Sequence, residues 1–248
     1  MKRLENKVAL VTGGSRGIGK AIVLRLAAEG ADVSFTYSGS SSAKRAAEVV
    51  ESVEKTGRRS LAIAANSEDT TAVTAAVEQT VKAFGKIDIL VNNAGIFEAK
   101  PFADFTPEDY ERTMSVNTRA VFFASQAAAK HLPAGGRIIS IGSCLGDQVR
   151  GPWMSLYAMS KSALTGLTRA LARELGPNKI TVNLIQPGPV NTDMNPANGS
   201  HSEGQRGLMA IPEYGDPEDI AGSVAWLAST DGKYVTGASI AVDGGTNA

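Results

Sequence analysis

Seven short runs rich in Val, Ile and Leu alternate with longer stretches of helical periodicity, and this alternation limits the fold more than any other feature of the chain. KVALVT leads into a helix predicted near Gly17 to Glu29, DVSFTY into one near Ala43 to Thr56, and SLAIAA into one near Asp69 to Phe84. IDILVNNAG precedes a helix near Pro107 to His131, and RIISIGS one near Ser155 to Gly176. TVNLIQPG is followed by a loop and a helix near Pro217 to Ala228, and SIAVDGG closes the series. Strands separated by helix-length segments must run parallel with crossovers between them. The expectation is one α/β domain over 1–248: a Rossmann fold with a doubly wound seven-stranded parallel sheet and helices on both faces. Ligands of such sheets bind beyond the carboxyl ends of the strands.

GGSRGIG, Gly13 to Gly19, follows the first run directly and opens a helix. Glycines there let a pyrophosphate approach main-chain N–H groups at the positive end of the helix. A site for NAD normally has Asp or Glu at the end of the second strand to hold the ribose 2′-hydroxyl. This chain has Tyr37, Ser38, Gly39, Ser40, Ser41 and Ser42 instead. A carboxylate would repel a 2′-phosphate, whereas hydroxyls, backbone N–H groups and the cation Arg16 can bind one. The expected cofactor is NADP(H). Ser41 or Ser42 serves equally as a helix cap before Ala43.

YAMSK puts Tyr157 and Lys161 on one helix face, with Cβ atoms about 6 Å apart. An ammonium there favours the phenolate, so the lysine is expected to lower the tyrosine pKa toward the working range. Ser143 ends RIISIGS on the same sheet edge as the glycine loop, where its hydroxyl can donate to a substrate carbonyl.

In TGGSRGIG, NNAG (Asn92 to Gly95), Asn117 in MSVNTRA, Ser143, YAMSK and the PG of Pro187 and Gly188, the chain resembles the short-chain dehydrogenase/reductase family, in the family's order and over nearly its whole length. The resemblance implies a catalytic tetrad of Asn117, Ser143, Tyr157 and Lys161. Tyr157 protonates the carbonyl oxygen as hydride reaches the carbon, and Ser143 polarises that oxygen. Lys161 also binds the nicotinamide ribose, and Asn117 helps hold a water that relays protons to Lys161. The implied cofactor contacts are Gly13, Ser15, Arg16, Gly17, Ile18, Gly19, Tyr37, Ser38, Ser40, Asn66, Ser67, Asn93, Ala94, Gly95, Tyr157, Lys161, Pro187, Gly188, Val190 and Thr192. Asn93 supports the cofactor pocket and Thr192 meets the nicotinamide carboxamide. The family usually has Asp then an apolar residue after the third strand, whereas this chain has Asn66 then Ser67, so weaker or rearranged contact with adenine is expected. The implied substrate pocket is Leu145, Trp153, Val190, Met194, Leu208 and Met209, whose apolar character suits an alkyl or aryl ketone.

With 25 basic and 25 acidic residues and no block of like charge, the chain has no field to draw it to nucleic acid or an anionic membrane. No apolar run reaches the length of a membrane span. A lone Cys144 and a polar start, MKRLE, suggest a soluble cytoplasmic protein. His131 and His201 are too isolated for a zinc site, so no metal is expected. Pro187 to Gly215 is long, irregular and rich in Pro, Gly, Asn and Ser, and is expected to be a substrate lid. In the resembling family the helices near 107–131 and 155–176 form subunit contacts, commonly in a homotetramer.

The function expected is NADPH-dependent carbonyl reduction, reversible as alcohol oxidation, on a small ketone or alcohol. Two rivals are a 3-oxoacyl carrier-protein reductase, with Lys130, Arg169 and Arg173 as a docking patch, and a binding protein of reductase ancestry. For the latter, TYSGS, IGSCLGD, QPGPVNTDMNPANG and LMAI are similar to segments of a family member associated with cyclic-di-GMP binding and biofilm dispersal.

Overall fold

The computed structural model describes residues 2–248. Its sheet has seven parallel strands: β1 (Val8–Val11), β2 (Asp32–Tyr37), β3 (Ser60–Ala64), β4 (Ile89–Asn92), β5 (Arg137–Ile141), β6 (Thr181–Pro187) and β7 (Ser239–Val242). Their order is β3-β2-β1-β4-β5-β6-β7. The direction of winding therefore reverses between β1 and β4, and the crevice of a doubly wound fold opens there. β1, β4, β5 and β6 are buried along their whole length, so both faces needed apolar cover and the sequence reads as unbroken apolar runs.

The cover divides by face. On one side, α1 (Gly17–Ala28) packs between α2 (Ala43–Glu54) and α8 (Pro217–Ala228), around Ile22, Leu26, Phe35 and Val224. On the other, α3 (Thr70–Phe84), α5 (Ala120–Ala129) and α6 (Ser155–Leu175) cover Leu10, Leu90, Ile138, Val182 and Leu184.

Two segments differ from the sequence pattern. The helix predicted over 107–131 is interrupted: α4 (Pro107–Met114) and α5 flank a π-turn at Ser115–Arg119. The Asn117 amide, in the middle of this turn, bonds the backbone of Ile96 and the Ser160 hydroxyl. The second is 187–215, which holds a short helix, α7 (Ser202–Arg206), inside an otherwise irregular path. Its ends meet where Val190 pairs with Gly215, and Asn195, Gln205 and Tyr214 hydrogen-bond one another within it. Among the described residues no helix is long and apolar enough to cross a membrane.

Candidate active site

The glycine loop turns from β1 into α1 with Gly13 at φ +69° and Gly17 at φ +52°, left-handed values that a side chain resists. It is tied down on both sides. Thr36 Oγ1 accepts from Gly13 N at 2.9 Å, and Asn93 Nδ2 donates to the Thr12 and Gly13 carbonyls at 3.0 and 3.1 Å. Thr12 Oγ1 accepts from the N–H groups of Asn93 and Ala94, which locks the β4 loop to the glycine loop. No side chain caps the N-terminus of α1, and no acidic residue lies in its first turn. Its unpaired N–H groups and partial positive charge therefore stay available to an anion.

A single cleft of about 790 Å³ runs from this loop to α6. Gly13, Ser15, Arg16, Gly17, Ile18, Gly19, Tyr37, Ser38, Asn66, Ser67, Asn93, Ala94, Gly95, Pro187, Gly188, Val190 and Thr192 line it, as do Ser143, Tyr157, Lys161, Leu145, Met194 and Leu208. The residues fit a phosphorylated dinucleotide: an uncapped helix N-terminus for the pyrophosphate, and hydroxyls and guanidinium groups without a carboxylate at the end of β2.

Four of the expected site residues lie elsewhere. Ser40 starts the tight turn Ser40–Ser42 and faces solvent, while Ser41, Ser42 and Arg45 take the lining positions. Arg45 sits one turn into α2 with its guanidinium on Ser42 Oγ at 3.3 Å. The signal for it was a cation three residues beyond the last serine. Trp153 has φ +71° and an indole 58 % exposed outside the cleft. Met209 is buried beneath the chain end, its methyl near Gly244. Asn117 is fully buried behind the wall, its side chain engaged by Ile96 and Ser160. Through those bonds it holds the loop leaving β4, where a methyl on Gly95 would lie 3.3 Å from Lys161 Nζ.

Ser143 is extended at the end of β5, and its Oγ accepts from Leu145 N at 3.2 Å, which leaves its own O–H free to donate into the cleft. The loop after it is fastened by the buried Gln186, whose Nε2 donates to Asp147 and to Ser239 Oγ. Gln186 Oε1 packs against Gly142 and Gly146, where a methyl would come within 3.1 Å.

Tyr157 lies one helical turn from Lys161, with the Phe97 ring edge-on at 4.9 Å. Lys161 Nζ donates to the Ile141 carbonyl at 3.0 Å and lies 5.8 Å from the Tyr157 ring centre. Burial pushes the Tyr157 phenol up to about 12, with the nearby Ser143 hydroxyl opposing. Burial also pulls the Lys161 ammonium down to about 8. The expected lowering of the tyrosine pKa is thus reversed: desolvation dominates over the opposing Ser143 hydroxyl, and the phenol keeps its proton at neutral pH. Cys144, buried beside Asp243, is pushed up to about 11 and stays a neutral thiol.

A family model described as Enoyl-(Acyl carrier protein) reductase matches residues 13–247. A blue fluorescent protein from a metagenomic library, crystallised with NADPH, is 56 % identical over 99 % of this chain and 100 % of its own, with a TM-score of 0.98. A short-chain dehydrogenase from Burkholderia cenocepacia J2315, crystallised with NADP, is 55 % identical over the same shares, also at 0.98. The cyclic-di-GMP-binding biofilm dispersal mediator protein of Escherichia coli K12 is 45 % identical over 98 % of both chains. With the glycine loop, Ser143 and the Tyr157–Lys161 pair all on one cleft, and agreement of this extent, the chain belongs to the short-chain dehydrogenase/reductase family.

Proposed function

We propose that this protein is an NADPH-dependent carbonyl reductase acting on small ketones, with Tyr157 as general acid. The observation that carries the reading is one cleft shared by the uncapped α1 N-terminus and by Ser143, Tyr157 and Lys161. NADPH, when bound, supplies the hydride for the carbonyl carbon. The chain's residues do the rest. Ser143 donates to the carbonyl oxygen and orients it toward Tyr157. A phenol held well above neutral pH is protonated before the reaction, as an acid must be. The Phe97 ring, edge-on to Tyr157, helps hold the phenol beside the developing oxyanion, where each donor counts most. Lys161, charged below pH about 8, is the group that can return a proton to the phenolate. Loss of NADPH absorbance with a panel of alkyl and aryl ketones tests the reading. A chain that binds NADPH and consumes it with no ketone would refute it.

The pH dependence follows from Lys161. Its pKa is depressed from 10.5, so raising the pH through about 8 strips its proton while Tyr157 remains protonated. The kcat for reduction is expected to be flat below that point and to fall about tenfold per pH unit above it. A profile flat to pH 10, about two units above the Lys161 value, would remove the lysine from the proton path.

Arg45, Ser41 and Ser42 support NADPH over NADH, and Arg16 adds a second guanidinium that faces Asp193 at 3.6 Å. Arg45→Ala is expected to raise KM for NADPH about tenfold and to leave KM for NADH unchanged, as loss of one charge-assisted phosphate contact requires. The segment 187–215 acts in this reading as the substrate lid, presenting Val190, Met194 and Leu208 to the cleft. The reading extends to a cytoplasmic homotetramer joined through α4 to α6, whose exposed Tyr110, Phe122 and Met159 support such contacts. Native mass measurement checks it. Calorimetric titration of cyclic-di-GMP tests the binding activity that the Escherichia coli relative's name carries.

A further inference from the structure

Five cationic side chains line the cleft: Arg16, Arg45, Arg112, Arg150 and Lys161. Three have their charge accounted for. Arg16 faces Asp193 at 3.6 Å, Arg112 faces Glu68 at 3.5 Å, and Lys161 is buried against the Ile141 carbonyl. Arg45 and Arg150 have no carboxylate partner among the described residues. They stand at opposite ends. Arg45 follows β2, at the cofactor end, whereas Arg150 lies in the loop between Ser143 and Tyr157.

An unpaired guanidinium at the cofactor end has a use, since the proposed cofactor ends in a phosphate. Its counterpart at the substrate end calls for an anion too. Gln148 Oε1 accepts from Arg150 Nη2 at 2.6 Å, which uses one edge of the exposed guanidinium and leaves the other for a planar acceptor. Phe97, Leu145, Met154, Met194 and Leu208 line the same cleft and give it apolar surface. The chain's net charge of zero means that no overall field substitutes for this local cation in attracting an anion.

We propose that the ketone this protein reduces carries a carboxylate at the far end of an apolar body, and that Arg150 reads that carboxylate and sets the substrate's direction in the cleft. The inference rests on the reductase reading above. The redox step is unchanged: one NADPH and one proton are consumed per carbonyl, the product is the hydroxy acid, and the carboxylate takes no part in bond making. Arg150 is thus a specificity residue and touches no reacting atom.

The test uses the full-length protein and matched pairs of acid and neutral amide: 4-oxopentanoate, 5-oxohexanoate and 4-acetylbenzoate, each against its own amide. In at least one pair the acid is expected to show about tenfold higher kcat/KM, carried by KM, and Arg150→Gln to abolish that ratio. Arg150→Glu should invert it in favour of the amide. Binding is read separately by calorimetric titration of 4-ethylbenzoate and 4-ethylbenzamide, neither of which can be reduced, into protein saturated with NADP⁺. Wild-type protein should prefer the acid, and the Arg150→Gln variant should not. Equal kcat/KM for acid and amide in every pair, or an acid preference that survives Arg150→Gln, overturns the proposal. If no ketone is turned over, the reductase reading fails, and equal binding of the two ethyl compounds then overturns the role of Arg150 as well. Arg150 is exposed, so its variants do not disturb the core.

Discussion

Tyr157→Phe lowers kcat for ketone reduction by about a thousandfold, the middle of the range for removing a positioned general acid. The substitution keeps the ring, so the edge-on contact with Phe97 and the packing of α6 are retained. NADPH affinity and thermal stability should therefore change little, which separates loss of chemistry from loss of structure. The residual rate reflects what Ser143 and proximity still contribute. Steady-state kinetics beside an NADPH titration reads both quantities. Turnover by the variant at the wild-type rate would sink the assignment of the acid.

The other large effect is structural. A methyl on Gly19 would fall inside the Gly13 carbonyl oxygen and within 2.5 Å of Asn93 Nδ2. Ala in a helix ordinarily gains about 1 kcal/mol over Gly. At Gly19 that gain is overridden, because the first obstacle is backbone, and the loop must open to accommodate it at a cost of about 1 to 3 kcal/mol. Opening the loop breaks the Asn93 bonds that shape the bed for the pyrophosphate. The expected outcome for Gly19→Ala is a clear loss of thermal stability together with loss of measurable NADPH binding. Gly166→Ala on α6 is the matched control, since its methyl meets nothing within 4 Å and should stabilise. If both variants bind NADPH alike, the close packing of the loop is not what holds the cofactor.

The central strands β1, β4, β5 and β6 were legible because a parallel sheet buried on both faces leaves continuous apolar runs, bounded by the glycines of the loops. The glycine loop and the Tyr157–Lys161 spacing were legible for a related reason: both depend on short-range geometry that spacing alone dictates. What failed depended on distant partners. The π-turn at Ser115–Arg119 carries Asn117, whose amide bonds Ile96 and Ser160, residues 21 and 43 positions away. Ser40 and Ser42 look equivalent in sequence, and only the tight turn after Gly39, at φ +73°, decides which enters the cleft. Trp153 reads as a pocket aromatic, yet the positive φ there, with its carbonyl bonded by Lys100 N at 3.1 Å, aims it outward. The direction of the Tyr157 shift was missed because spacing names the neighbour, while desolvation depends on the whole wall around it.

The pairing of Val190 with Gly215 gives the segment between them a narrow neck, so its two stems leave the sheet edge side by side. Chain added or deleted beyond that neck, near the exposed Asn198, changes neither the strands below nor the spacing of Ser143 and Tyr157. Each doubling of such a loop costs only about 0.6 kcal/mol in closure entropy. Descendants of this sequence can thus exchange the cover of the binding cavity wholesale, acquiring new preferences by insertion and deletion while the proton-transfer apparatus is inherited intact.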